Sequence, residues 1–163
     1  MLDSALLGGA LPAGEIVLRL ALAALFGTVI GIDREAHERP AGLRTHMLVA
    51  LGSAVFAVVA IEMTMSPLVN GDSVRVDPLR VLEATAAGVA FLGAGTIFRS
   101  GGSVKGVTTG ASILVAGAIG AATGGGWHLV AGVALVLAML ILTVMHVVER
   151  RLLGSSPVPA PEE

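Results

Sequence analysis

The chain has 163 residues, of which 55% are hydrophobic, with 22 glycines and a mean hydropathy of +0.88. A soluble domain of this size could not hide so much apolar surface, so the composition excludes a soluble globular fold and points to a membrane protein. A net charge of −2 offers no basic surface for nucleic acid, and the lack of cysteine excludes disulfides and thiolate chemistry.

The N-terminal Met1-Leu-Asp-Ser lacks the positive n-region of a signal peptide, so the first apolar run is expected to remain in the mature protein. Residues 1–14 hold Gly8, Gly9, Pro12 and Gly14 and read as a short, loosely structured or interfacial lead. A membrane domain is expected over 15–150, followed by a disordered tail over 151–163 with Pro157, Pro159 and Pro161. The first span falls at about Glu15 to Ile32. Glu15 and Arg19 are spaced to pair and to reach the interface, and Gly27 and Gly31 give a small-residue face for close helix packing.

Charge then concentrates. Asp33, Arg34, Glu35, Glu38, Arg39 and Arg44 fall within twelve residues of a chain that is 13% charged, with apolar runs on both sides. Isolated charges are costly in hydrocarbon, so this knot belongs at a membrane surface or in a polar cleft. Glu35 and Arg39 have the favourable i,i+4 order on a helix. Pro40 and Gly42 then break the helix, and Thr45 is placed to cap the next one.

The second span is expected at about Thr45 to Met63, with Gly52, Ser53, Ala54 and Ala57 on a small face, followed by a polar connection from Thr64 to Val76. Asp77-Pro78 reads as an N-cap with proline at the first helical position. The third span runs from there to Phe98. Arg80 and Glu83 lie in its first turns, Ala84, Gly88 and Gly95 share one face, and Arg99 to Lys105 ends it. The 43 uncharged residues between Lys105 and Glu149 are too many for one span. Gly124-Gly-Gly-Trp127 is the natural hinge between a fourth span, about Val107 to Thr123, and a fifth, about Trp127 to Val148. Gly110, Gly117 and Gly120 lie near one stripe of the fourth; the fifth is richer in Leu and Val and is expected to face lipid. The expected fold is thus all-α, a bundle of about five transmembrane helices. With the N-terminus outside, seven Lys and Arg (Arg34, Arg39, Arg44, Arg99, Lys105, Arg150, Arg151) lie inside and three (Arg19, Arg75, Arg80) outside, which favours N-out, C-in.

The chemistry these residues allow is limited. Asp33, Glu35 and Glu38 could offer oxygen ligands to Mg²⁺, but arginines are interleaved with them, and mutual neutralisation is the cheaper explanation. Glu62, Asp72, Asp77 and Glu83 could gather on the outer side, although Asp77 is better explained as a cap. The histidines 37, 46, 128 and 146 show no ligand spacing. No hydrolase elbow, zinc-protease helix or phosphate-loop lysine is present, and Ser53 and Ser112 read as packing or back-bonding residues. No enzymatic role, metal site or cofactor is expected. The residues singled out as a functional charge cluster are Asp33, Arg34, Glu35, Arg39, Arg44, Asp77, Arg80, Glu83 and Arg99. Those singled out for helix packing are Gly27, Gly31, Gly52, Gly88, Gly93, Gly95, Gly110, Gly117 and Gly120.

Several blocks together resemble the MgtC/SapB family. They are Gly31-Ile-Asp-Arg-Glu35, Ala41-Gly-Leu-Arg-Thr45 and Leu48-Val-Ala-Leu-Gly-Ser-Ala-Val-Phe56, then Asp77-Pro-Leu-Arg80, Phe91-Leu-Gly-Ala-Gly95 and Gly106-Val-Thr-Thr109. The blocks keep the family's order over roughly residues 27–126. The resemblance implies a bacterial inner-membrane protein tied to growth or survival at low Mg²⁺ and to virulence. Such proteins were first named for Mg²⁺ transport and are more often viewed as modulators of other membrane proteins, the proton-driven ATP synthase among them. The family's frequent Trp in the fourth span is replaced here by Leu114, and a common Gln in the third by Glu83. The expected role is a non-enzymatic modulator acting under low Mg²⁺ or acid stress, with transport of Mg²⁺ or another cation as the alternative. The expected partners are the lipid bilayer and either further copies of the chain or another membrane protein; Mg²⁺ binding is possible without being supported by the residues.

Overall fold

The computed structural model describes residues 11–65 and 77–152. Most of the lead, residues 66–76 of the 64–76 connection with Asp72 and Arg75, and the tail from 153 onwards lie outside the described residues, as do the side chains of His146, Arg150 and Arg151. The described residues form five helices: α1 Ala13–Ala36, α2 Leu43–Met65, α3 Pro78–Ala94, α4 Val107–Gly124 and α5 His128–Leu152. Four of them are long and apolar enough to cross a membrane. The fifth, α3, has 17 residues, about 25 Å at ~1.5 Å per residue. It covers the same slab as α4. Its first turn, at Leu79, shares a groove with Trp127 beyond the end of α4, and Gly93 in its last turn lies against Gly110 in the first turn of α4.

Local chemistry sets the helix ends. Asp77 accepts the Leu79 N–H at 3.0 Å, with Pro78 at the first helical position, as its sequence predicts. The end of α1 is set before the expected Pro40 break. Arg39 N–H donates to Arg34 O and Glu38 N–H to Glu35 O, both at 3.0 Å, while Glu38 takes the left-handed φ of 52°. That pair of bonds is a Schellman closure, normally given to glycine. The next helix then starts at Leu43, two residues earlier than expected.

The third helix is shorter than its sequence predicts. It stops at Ala94, short of the expected Phe98, and Phe98 instead opens an antiparallel hairpin, β1 Phe98–Ser100 with β2 Ser103–Lys105. Gly101 and Gly102, with φ of 58° and 81°, supply the two left-handed positions of the tight loop.

The bundle is built around α4, which packs against all four other helices and buries ten of its 18 residues. Glycines on several of its faces let neighbouring backbones approach. Gly120 and Gly124 sit directly on the backbone of Ala50 and Ala54 in α2, where a methyl group would overlap a carbonyl oxygen. Gly110 and Gly93 oppose one another, each leaving under 3.0 Å between its absent Cβ and the other's carbonyl oxygen, and Gly117 receives the Val89 side chain. Gly27 and Gly31 likewise hold α1 against the start of α2, a Cβ at Gly27 lying 2.6 Å from His46 O. Gly95 lies just beyond α3 and has only α3's own carbonyls near it, while Gly52, Gly88 and Gly132 face open space. The outermost helix, α5, buries Ala131 alone among its described side chains.

Two predictions follow from these ends and contacts. Gly120→Ala should destabilise the detergent-solubilised protein by roughly 1–3 kcal/mol, since an added methyl in a tight interface forces backbone shifts, whereas Gly132→Ala should be neutral or stabilising by up to ~1 kcal/mol. Thermal unfolding followed by size-exclusion recovery separates them. Glu38→Gly should raise the unfolding temperature slightly, because the left-handed position no longer carries a side chain.

Candidate functional site

The charge cluster divides between the two ends of the bundle. At the end holding the α1–α2 turn, Arg34 is 4% exposed and gives a forked pair of bonds to one Asp33 oxygen, Nε at 3.0 Å and Nη2 at 2.7 Å. His37 Nδ1 donates to Asp33 O at 2.6 Å and lies 3.6 Å from the other carboxylate oxygen. The carboxylate of Glu35 turns away from Arg39 and accepts the Leu43 N–H at 2.9 Å, capping α2 from the preceding helix. Thr45, expected as that cap, is exposed inside the first turn. Among the described residues no ion pair joins Glu35 to Arg39 or Arg44. Arg44, on the first turn of α2, and Arg99, across from Val104 in the hairpin, are exposed.

The opposite end holds Asp77, Arg80 and Glu83. All three are exposed, and among the described residues Arg80 and Glu83 form no ion pair. Arg19 bonds Glu15 at 2.9 Å as expected, and its Nη1 also donates to Gly124 O at 3.0 Å, closing the C-terminus of α4. Glu62 accepts the Leu11 N–H at 2.7 Å, away from Glu83. Among the described residues no three His, Asp or Glu side chains are gathered so as to hold a metal ion.

Between the ends lies a polar contact that the sequence reading passed over. His46 is fully buried where α1, α2 and α4 meet. Its Nδ1 is 2.9 Å from Gly42 O and its Nε2 is 3.0 Å from Ser112 Oγ. A carbonyl can only accept, so Nδ1 carries a proton; in the neutral ring Nε2 is then an acceptor, and the single Ser112 hydroxyl proton serves either it or Thr109 O, 2.8 Å away. The pair has the atoms of a Ser–His dyad but not the access of one, for both side chains are sealed inside the bundle. It ties α2 to α4. The signal was available: His46 is in helical phase with Ala50, Ser53, Ala54 and Ala57, all on the buried face of α2. Ser53, by contrast, is buried with no hydrogen-bond partner for its hydroxyl among the described residues.

These features sit in a sequence whose relatives are recognisable. The family model described as MgtC family matches residues 20–151. The chain belongs to the MgtC family. It is 36% identical over 142 residues to YhiD of Escherichia coli K12, whose name proposes a magnesium transporter, covering 87% of this chain and 66% of that one. It is 42% identical over 115 residues to protein MgtC of Brucella melitensis (71% and 44%) and 44% identical over 134 residues to protein SrpB of Synechococcus elongatus (73% and 70%). The chain therefore spans just under two thirds of the E. coli relative and under half of the Brucella one. No solved structure matches it. As an MgtC-family membrane protein, the chain has the matched region covering the whole described bundle apart from the first turns of α1 and the last residue of α5.

The hydrogen bonds make the polar residues separable by mutation. Ser112→Ala leaves His46 Nε2 buried and unpartnered and should cost about 1–3 kcal/mol, while Ser53→Ala removes a hydroxyl that bonds nothing and should be neutral or stabilising. Asp33→Asn weakens the compensation of buried Arg34 and should cost up to roughly 3–5 kcal/mol, far more than Glu38→Gln. Thermal melts in one detergent check all four; equal losses for Asp33→Asn and Glu38→Gln would mean that Arg34 is solvated.

Proposed function

We propose that this chain is a non-enzymatic inner-membrane protein, N-terminus out and C-terminus in, that modulates another membrane protein during adaptation to low Mg²⁺ or acid stress. The observation that carries the reading is where the unused glycines lie. Gly52 and Gly88 come from different helices, have nothing within 4 Å, and line the same groove of about 720 Å³ between α2 and α3. Glycine on a lipid-facing helix surface lowers helix propensity without any packing return, but a groove floored by small residues lets another helix backbone approach closely. The helix beside it is held lightly, with Val89 and Gly93 its only buried residues, and Phe91 and Leu92 are exposed further along it. A transmembrane helix of the regulated protein is the occupant this surface suits, and a second copy of the chain is the competing one.

The alternative is cation transport, which the name of the E. coli relative favours. The same groove argues against it as a path for Mg²⁺. A divalent cation needs several oxygen ligands, whereas the polar side chains lining this groove are Ser53, Thr85 and the guanidinium of Arg80, which repels a cation. Glu83, the carboxylate in the first turns of α3 that a transporter could use to meet an entering cation, is exposed at the end of the bundle.

Two substitutions divide the readings. Gly88→Leu puts a bulky side chain into the groove at a position where a Cβ meets nothing within 4 Å, and should abolish complementation of a low-Mg²⁺ growth defect at normal protein abundance. Glu83→Gln should leave that complementation intact. The reverse pattern, accompanied by Mg²⁺ uptake into proteoliposomes holding the purified chain, would establish transport instead.

A further inference from the structure

A recess of about 360 Å³ opens between the α1–α2 turn and the hairpin, at the bundle end opposite Trp127. Arg39 and Lys105 line it, and among the described residues neither forms an ion pair. No carboxylate is among the residues that line it. Among the described residues, therefore, two cations face one cavity without a counterion.

The start of α4 forms the rest of the wall. Gly106 takes the left-handed φ of 86° and provides no side-chain cap. The first bond closing α4 is Gly110 N–H to Gly106 O, which leaves the N–H groups of Val107, Thr108 and Thr109 as the orphan donors of a helix terminus. An uncapped N-terminus attracts anions through these N–H groups and the helix dipole. A helix end alone would not make a site. Here Thr109 also lines the recess; it is 3% exposed, and among the described residues its hydroxyl has no hydrogen-bond partner. Elsewhere in this bundle the threonines of helix interiors, such as Thr28, Thr85 and Thr123, return their hydroxyls to a carbonyl one turn back. A first-turn threonine such as Thr109 has no such carbonyl one turn back within its helix.

We infer that this recess binds a phosphate group. A tetrahedral oxyanion accepts from several directions at once, which suits an array of backbone N–H donors, a hydroxyl, an ammonium and a guanidinium. A carboxylate would engage fewer of them. The rim is apolar, with Phe98 51% and Val104 60% exposed in the hairpin. That combination of cationic wall and apolar lip fits the phosphate of a lipid headgroup, and free inorganic phosphate shares the same chemistry. The site does not depend on the groove beside α3, which lies between other helix faces.

Native mass spectrometry of the full chain released from nonionic detergent, titrated with phosphatidylglycerol in one arm and inorganic phosphate in the other, tests the assignment. One bound phosphate species per chain is expected. Arg39→Gln and Lys105→Gln should each weaken it about tenfold, the scale of one charge-assisted bond, and Thr109→Val about threefold. Arg80→Gln, at the far end of the bundle, should leave it unchanged. Retention of the lipid alone identifies a headgroup, and retention of inorganic phosphate in competition with the lipid identifies the free anion; both support the site. Failure of both arms, or binding that Arg39→Gln and Lys105→Gln leave at the level of Arg80→Gln, overturns it. Both cations are exposed, so their replacement is not expected to disturb folding.

Discussion

The bundle depends on the contact between the glycine face of α4 and the backbone of α2. Lipid tails are as apolar as leucine, so no hydrophobic force draws helices together within a bilayer, and close approach with its dispersion contacts has to supply the attraction. Gly120 and Gly124 give that approach against Ala50 and Ala54. The hydrogen bond between Ser112 and His46 fixes the register of the same two helices nearer their other end. With this pair in place, α1 is secured through Gly27 and Gly31, and its partner chain segment needs only the short turn around Glu38. The contrast with α3 is physical: one glycine pair and one valine hold it. In the proposed reading, this loosely held helix flanked by open glycines is the surface offered to a partner, and the α2–α4 pair is the frame that presents it.

Several of the charges at the ends of the bundle are committed to named partners. Asp33 is committed to Arg34, Glu35 to the first turn of α2, Arg19 to the last turn of α4, and Asp77 to the first turn of α3. Each bond satisfies a backbone or ionic group that would be expensive near hydrocarbon. Among the described residues Arg39 and Lys105 form no ion pair, and both face one recess.

Much of this was legible in the sequence. The periodic apolar runs, the Asp77-Pro78 start and the Gly-Gly-Trp hinge mark helices whose ends fall within a few residues of their predicted positions. What was missed depends on distance in the chain or on a competing local signal. The Gly101-Gly102 pair between short alternating residues is a hairpin signal, yet the apolar Phe98 next to it read as the end of a span. Arg34 bonds its immediate neighbour Asp33 in preference to an i,i+4 partner, since it is turned inward where no other carboxylate reaches. Glu35 could be recognised as the cap of α2 only once the turn had brought Leu43 under it. His46 and Ser112 are 66 residues apart, and no local pattern couples them. The glycines looked alike in sequence; only their neighbours distinguish those that pack within the chain from Gly52 and Gly88, which do not.

The central claim is that α3 presents a partner-binding face while α5 faces lipid. Photo-crosslinking in intact cells tests it most directly, with a benzophenone side chain at Leu92 on α3 or at Leu137 on α5, both exposed within this chain. The account predicts a discrete adduct heavier than the monomer from Leu92 and none from Leu137. Equal adducts from the two positions, or none from Leu92 in cells depending on the protein for growth at low Mg²⁺, would contradict it.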